Sequence, residues 1–343
     1  MRAVLVEEHG GLDRLRWTEV ADPIPGPGEV RVRVRAASIN YLDTWVRRGI
    51  PGVKYPLPLI PGCDGAGVVE MLGAGVAGPA VGTRVALQPG LACGTCAACL
   101  GGADNLCRDY GILGETRNGT DAEFVVVPAV NVMPIPDSLE FEAAAAFPLV
   151  FLTAWHMAVD RARIRPGETV LVHAGASGVG SAALQIARLL GARVLTTVGT
   201  RQKAERARAL GADEVILYRE VDFADDVRRL TGKRGVDVIL DHVGADTWER
   251  NIRSLARGGR LVVCGATSGH EVPTNLRMLF FKNLSFLGST MGSKAELLEI
   301  LRLIDQGKLR PVIDRVLPIQ EVGRGHELLE GRSATGKIVL TLP

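Results

Sequence analysis

The stretch Val170-Leu171-Val172-His173-Ala174-Gly175-Ala176-Ser177-Gly178-Val179-Gly180 decides how this chain folds. A short apolar run stops at a glycine-rich turn. Val179 to Leu190 then carries apolar residues at helical spacing. Strand, tight turn and helix in that order are the start of a crossover unit. Glycines at such a turn let backbone N–H groups approach a pyrophosphate, and the helix N-terminus adds a partial positive charge. Ser177 holds the middle position of the glycine fingerprint, so G-x-G-x-x-G is not strictly met. A purely structural glycine turn would read the same, and the strand–turn–helix context carries the assignment. Ser177, Gly178, Val179 and Gly180 are the expected pyrophosphate contacts.

Outward from this stretch the same rhythm repeats. Strands are expected at Arg193–Val198, Glu214–Leu217, Val236–Leu240, Arg260–Cys264 and Leu284–Leu287. Helices are expected near Lys203–Leu210, Asp222–Leu230 and Asp246–Leu255. Strands alternating with helices of this length imply a doubly wound parallel sheet covered on both faces, a Rossmann domain. The first 135 or so residues read differently, as β-structure with many turns. Val30, Val32 and Val34 alternate with Arg31, Arg33 and Arg35, a half-buried strand. After a helix at Lys294–Gln306 the tail, Val312–Leu317 and Ile338–Leu342, returns to β character and is expected to rejoin the first domain. The expected fold class is therefore α/β, with a mostly-β domain from residues 1–147 and 290–343 and a Rossmann domain from residues 148–289.

The end of the second Rossmann strand is where a carboxylate binds the ribose diol of NAD. Here the run is Val198-Gly199-Thr200-Arg201-Gln202-Lys203, and no acid appears before Glu205. Thr200, Arg201 and Lys203 suit a 2′-phosphate instead, Arg through its forked donors. A solvated helix start in an arginine-rich chain (33 Arg against 7 Lys) is the competing reading for Arg201. NADP(H) is expected as the preferred cofactor, with NAD(H) also open.

Four of the six cysteines, Cys93, Cys96, Cys99 and Cys107, fall in the spacing C-x2-C-x2-C-x7-C within a lobe near residues 90–110. Such steps let one loop wrap a tetrahedral zinc ion, and a closed four-thiolate set leaves no position for substrate. One structural zinc per chain is expected. Net charge is +2, with 47 % hydrophobic and 23 % charged residues, so no nucleic-acid or membrane partner is implied. No run is long and apolar enough to span a membrane. Met1-Arg2-Ala3-Val4-Leu5 enters a strand without a signal-peptide pattern, so a cytoplasmic protein is expected.

With these pieces in place the sequence resembles the medium-chain dehydrogenase/reductase superfamily, the fold of zinc alcohol dehydrogenases and quinone oxidoreductases. The resemblance spans essentially the whole chain. It rests on Gly28-Glu29-Val30, Pro61 to Gly67, the cysteine quartet, Ala174 to Gly180, Asp237 to Gly244 and Thr335 to Leu340. It implies a GroES-like catalytic domain split around the Rossmann domain, with the quartet as structural zinc lobe. Thr197 to Lys203 looks like the NADPH-using quinone oxidoreductases, and Tyr218 matches a position that helps hold the 2′-phosphate there. Thr153 and Val243 complete the expected cofactor contacts. Family members commonly extend the last Rossmann strand across a two-fold axis, so a homodimer or homotetramer is expected.

The alcohol-dehydrogenase catalytic zinc is where the sequence departs. Asn40 stands at the first ligand position, ahead of Asp43; Gly62-Cys63-Asp64 replaces Gly-His-Glu; Leu149 stands at the third ligand position. Leu42 and Trp45 replace the proton relay. Cys63 and Asp64 remain as ligands, with His156 as an unsupported third candidate, and zinc catalysis needs three plus an open site. The candidate catalytic residues are Asn40, Asp43, Cys63 and Asp64. Asn40 matches an Asn of quinone oxidoreductases and supplies a neutral amide donor. Tyr41 and Trp45 suit either a pocket wall or plain core, and His173 and His242 receive no catalytic role. The expected activity is hydride transfer from NAD(P)H to a quinone or an α,β-unsaturated carbonyl, which is a small-molecule substrate. Two alternatives stay open: an alcohol dehydrogenase with an atypical zinc site, and a dinucleotide-binding protein without turnover.

Overall fold

Alternating valine and arginine build the central strand of the first sheet. In β1 (Glu29–Ile39), Val30, Val32 and Val34 are fully buried. Arg31 and Arg33 point the other way, where Glu70 accepts hydrogen bonds from both at 2.6 and 2.9 Å. Both guanidinium groups also stack on Phe124. Stem packing and ion pairing let a charged face lie flat on the sheet. The computed structural model describes residues 1–343. The chain divides into two units. One comprises Met1–Leu149, Ser293–Gly307 and Pro311–Pro343, and the other Val150–Gly292 with Lys308–Arg310.

In the first unit, β1 runs into α1 (Tyr41–Arg48), and β2 (Asp64–Leu72), β3 (Arg84–Leu87), β4 (Phe124–Pro128) and β5 (Val132–Pro134) follow. β1 pairs antiparallel with β2 along most of its length, and with β4 at its first half. Its interior is one apolar cluster that includes Val30, Val32, Val69, Val85, Leu113, Val127, Ile338 and Leu340.

The second unit is the parallel sheet that the glycine turn announces. It contains β6 (Thr169–Val172), α2 (Gly178–Leu189), β7 (Arg193–Val198), α3 (Arg201–Ala209) and β8 (Glu214–Leu217). Then come α4 (Phe223–Leu230), β9 (Val236–Asp241), α5 (Trp248–Ser254), β10 (Leu255–Val263) and β11 (Ser285–Gly288). The order is β8-β7-β6-β9-β10-β11, all parallel. Connections after β6 run one way and those after β9 the other. The carboxyl ends of β6 and β9 therefore flank a topological switch point, the place where such sheets bind ligands. The expected helices shift slightly: α3 starts at Arg201, because Thr200 caps it, and α5 stops at Ser254, because Leu255 already pairs with Val236.

The chain then returns to the first unit through α6 (Lys294–Asp305), β12 (Ile313–Pro318), α7 (Val322–Glu330) and β13 (Lys337–Thr341). β13 pairs antiparallel with β1, and β12 pairs parallel with β13, giving the sheet order β12-β13-β1-β2-β3-β5. No helix is long and apolar enough to cross a membrane.

Candidate functional site

The turn after β6 is held open by contacts that need glycine. A Cβ on Gly175 would lie 2.2 Å from Thr196 Oγ1, and one on Gly180 would lie 2.1 Å from the Ala174 carbonyl oxygen. Gly180 therefore lets α2 close onto the turn, a packing role. Ala174 adopts φ 47°, a left-handed backbone that side chains rarely take. Ser177 caps α2, and its Oγ accepts the Gly180 N–H at 3.0 Å. The N–H groups of Gly178 and Val179, in the first turn, have no acceptor within the helix. They are the donors an anion at this helix start would meet. Ser177 Oγ also shares a hydrogen bond with His242 Nε2, 3.1 Å away, whose direction the imidazole tautomer sets. Burial pushes His242 down to about 4, so it stays neutral and able to accept at neutral pH.

A buried polar network supports this turn from below. Asp241 accepts from the Val243 N–H, Thr247 Oγ1 and Asn251 Nδ2, each at 2.6 Å. Asn251 Oδ1 meets His173 Nε2 at 2.6 Å, and His173 Nδ1 meets Thr197 Oγ1 at 3.0 Å. Burial also lowers His173. These residues link the ends of β6, β7 and β9 into one rigid platform. His242 and His173 thus belong to the turn's hydrogen-bonded frame, a role invisible in the sequence because it depends on strand order. Thr153 is buried in the helix Pro148–Trp155, and Val243 follows β9.

At the end of β7, Thr200 caps α3 and accepts from the Lys203 N–H at 3.3 Å. Arg201 lies 3.6 Å from Glu220, both well exposed. Tyr218 follows β8 beside Gly199: a Cβ at Gly199 would lie 3.0 Å from Tyr218 Oη and 3.3 Å from Arg219 Nε. Arg219 thus joins the side chains facing this spot. A glycine three residues before Gln202 gave no signal of that.

In the first unit, Asn40, Asp43, Cys63 and Asp64 come together with Ser38, Ile39 and Lys337, which the sequence did not single out. The end of β1 and the start of β2 lie opposite one another, Ser38 beside Asp64. Asn40 Nδ2 donates to Asp64 Oδ2 at 2.8 Å and faces Cys63 Sγ at 3.2 Å and the Ser38 carbonyl at 3.3 Å. Lys337 Nζ donates to Asp64 Oδ2 at 3.1 Å, to the Ile39 carbonyl at 2.9 Å and to Asn40 Oδ1. Ser38 Oγ and the Leu149 N–H also donate to Asp64, at 3.4 and 2.8 Å. Asp43 Oδ2 accepts the Asn40 N–H at 2.7 Å. All of these carboxylates, the thiol and the ammonium are buried. Burial raises Asp43 to about 7, against the pull of the Asn40 amide and Lys337. Burial likewise holds the Cys63 thiol well above its usual range.

This donor set does not suit a catalytic metal. Both oxygens of Asp64 are taken, Lys337 brings a positive charge to its side, and Leu149 offers only backbone. His156 lies in the second unit and faces Asp160 at 3.8 Å. The Tyr41 and Trp45 rings pack edge to face at 5.6 Å.

The cysteine lobe fits a metal ion well. The Sγ atoms of Cys93, Cys96, Cys99 and Cys107 all lie within 4.8 Å of one another, with Cys93–Cys99 at 3.9 Å and Cys96–Cys99 at 3.5 Å. Four thiolates at zinc-bond length sit about 3.8 Å apart. Backbone N–H groups of Cys93 and Cys96 point at the sulfurs of Cys107 and Cys93, each at 3.4 Å. Lys294, at the start of α6, fastens the lobe by donating twice to Asp104.

Comparison with known proteins agrees with this geometry. Residues 26–137 match the alcohol dehydrogenase GroES-like domain and residues 178–306 the zinc-binding dehydrogenase family. The chain is 32 % identical to the quinone oxidoreductase of Homo sapiens, covering 100 % of this chain and 98 % of the relative. It is also 32 % identical to the 2-haloacrylate reductase of a Burkholderia species, with 98 % of each covered. A crystal structure of an NAD-dependent alcohol dehydrogenase superposes over 100 % of both chains with a TM-score of 0.96 and 51 % identity. The glycine turn at the switch point, the split β-domain and these matches across the whole length make this chain a member of the medium-chain dehydrogenase/reductase superfamily, an NAD(P)-dependent oxidoreductase.

Proposed function

We propose that this enzyme uses NADPH to reduce the C=C bond of a small quinone or α,β-unsaturated carbonyl. The observation that carries the reading is the Asn40–Asp64–Lys337 cluster: amide and ammonium donors, without a three-ligand metal site, where alcohol dehydrogenases hold catalytic zinc. When bound, the reduced nicotinamide supplies a hydride with its electron pair to the β-carbon. The π-electrons of the C=C bond then shift and leave an enolate oxygen, which needs hydrogen-bond donors. Asn40 provides one. Its first amide proton is committed to Asp64. Its second faces only a thiol, a weak acceptor, and the Ser38 carbonyl at 3.3 Å, so a substrate oxygen can take it. A solvent proton completes the product at the α-carbon. Asp43 and Cys63 hold Asn40 in place.

In the same reading Ser177, Gly178, Val179 and Gly180 bind the pyrophosphate, with Thr153 and Val243 contributing to the cofactor site. Thr200, Arg201, Lys203 and Tyr218 receive the 2′-phosphate, and one structural zinc sits on the cysteine quartet. The relatedness to an NAD-dependent alcohol dehydrogenase favours a second reading, alcohol oxidation with NAD. Edge strand β11, beside exposed Leu276, Phe280 and Phe281, is the surface for pairing with a second copy. Six unpaired cysteines suit a cytoplasmic enzyme. The test is steady-state oxidation of NADPH and NADH with a quinone and enone panel, set beside NAD reduction with alcohols. Turnover of alcohols alone overturns the proposal.

A further inference from the structure

Lys337 belongs to the cluster but touches no reacting atom in the steps above, and it is the most completely engaged buried cation in the first unit. It opens β13, whose pairing with β1 sets Ile338 opposite Ile39 and so brings Lys337 to Asn40. Only 4 % of the residue is exposed. Its three ammonium protons have three acceptors: the Ile39 carbonyl, Asn40 Oδ1 and Asp64 Oδ2. Removing one partner of such a buried pair leaves an uncompensated charge and is strongly destabilising.

We propose that Lys337 is a positioning residue that fixes which way the Asn40 amide faces, a role that rests on the reading of Asn40 as the donor to the substrate oxygen. The amide lies between an ammonium and a carboxylate. With Oδ1 on Lys337 and Nδ2 on Asp64, both ends are attractive. Turned by half a rotation, the amide would set its oxygen against the Asp64 carboxylate and its NH2 against the ammonium. Electrostatics therefore select one orientation. That orientation leaves the second N–H between the Cys63 thiol, a weak acceptor, and the Ser38 carbonyl at a long 3.3 Å. Without Lys337 the Nδ2 end would keep Asp64, the Ser38 carbonyl and Cys63, but Oδ1 would lose the ammonium that opposes its rotation. Preorganisation of an oxyanion donor is what makes it effective, since a donor that must reorient during the reaction gives up much of its benefit.

The experiment compares Lys337→Met, Lys337→Arg, Asn40→Ala and the pair Lys337→Met/Asp64→Asn in the full chain. The pair removes both buried charges together, so it keeps the fold from carrying an unpaired carboxylate. Readouts are kcat and KM with NADPH and an enone, NADPH affinity by fluorescence titration, and Tm. The expected result is a loss in kcat of roughly tenfold to a hundredfold for Lys337→Met and for the pair. NADPH affinity should hold, Tm should recover in the pair, and kcat should return in part with Lys337→Arg. A stable pair with wild-type kcat overturns the proposal and leaves Lys337 as an ion-pair partner alone. Asn40→Ala with wild-type kcat overturns the donor reading beneath it. An inactive Asn40→Ala beside a fully active pair sinks only the role of Lys337.

Discussion

Replacing Gly199 with aspartate should turn the cofactor preference from NADPH to NADH. Gly199 ends the β7 run where a dinucleotide fold carries its ribose-binding acid. It lies outside the left-handed region, so a side chain there adds no backbone strain. The atoms nearest its new Cβ are Tyr218 Oη at 3.0 Å and Arg219 Nε at 3.3 Å, both ends of movable side chains. The new carboxylate would sit where the 2′-phosphate is expected and would draw those two donors to itself. A phosphate of nearly two charges about 5 Å from a carboxylate is repelled by about 2 kcal/mol even at the dielectric of water. Loss of one charge-assisted hydrogen bond adds about 1.5–3 kcal/mol, and salt screening at this exposed site trims the sum. NADH, whose ribose diol donates to the carboxylate, gains instead. The ratio of kcat/KM for NADPH over NADH should fall by at least about a hundredfold, or ~2.7 kcal/mol. Steady-state kinetics with both cofactors at two salt concentrations measure it. A ratio unchanged within about threefold would show that the adenosine ribose does not lie over Gly199, and the 2′-phosphate assignment would go with it.

Two further outcomes follow from other parts of the structure. Cys96→Ser should take metal content, by elemental analysis, from one zinc per chain to none and lower the stability of the lobe by several kcal/mol; an unchanged metal count or stability would refute the quartet as a zinc site. Asp43→Asn should flatten part of the pH dependence of folding. Its native carboxyl, raised to about 7, keeps a proton that the unfolded chain loses near 3.8, so wild-type stability falls as pH climbs between those values. That slope amounts to something on the order of 4 kcal/mol. Urea unfolding of both proteins at pH 5 and pH 8 reads about 2.7 kcal/mol of it, and a stability difference independent of pH would remove Asp43 as its source.

Much of this architecture is written locally. The strand–glycine turn–helix at Val170–Leu190, the period-two valines of β1 and the cysteine spacing each need only neighbours a few residues away. Their physics is backbone freedom, side-chain alternation and ligand reach, so reading them in order yields the parallel sheet, the β-domain and the metal lobe. The absence of an acid between Val198 and Lys203 is equally a local fact. Tertiary structure alone decided what surrounds these elements. Arg219 faces Gly199 because β7 and β8 are neighbours in the sheet. His242 meets Ser177 because β9 crosses to the far side of β6. Lys337 reaches Asn40 across 297 residues of sequence because the last strand pairs with β1. A lysine in a Thr-Gly-Lys tail carries no mark of burial. Its charge becomes informative only when strand pairing closes the chain's end onto its beginning and leaves the ammonium with a carboxylate, a carbonyl and one amide to satisfy.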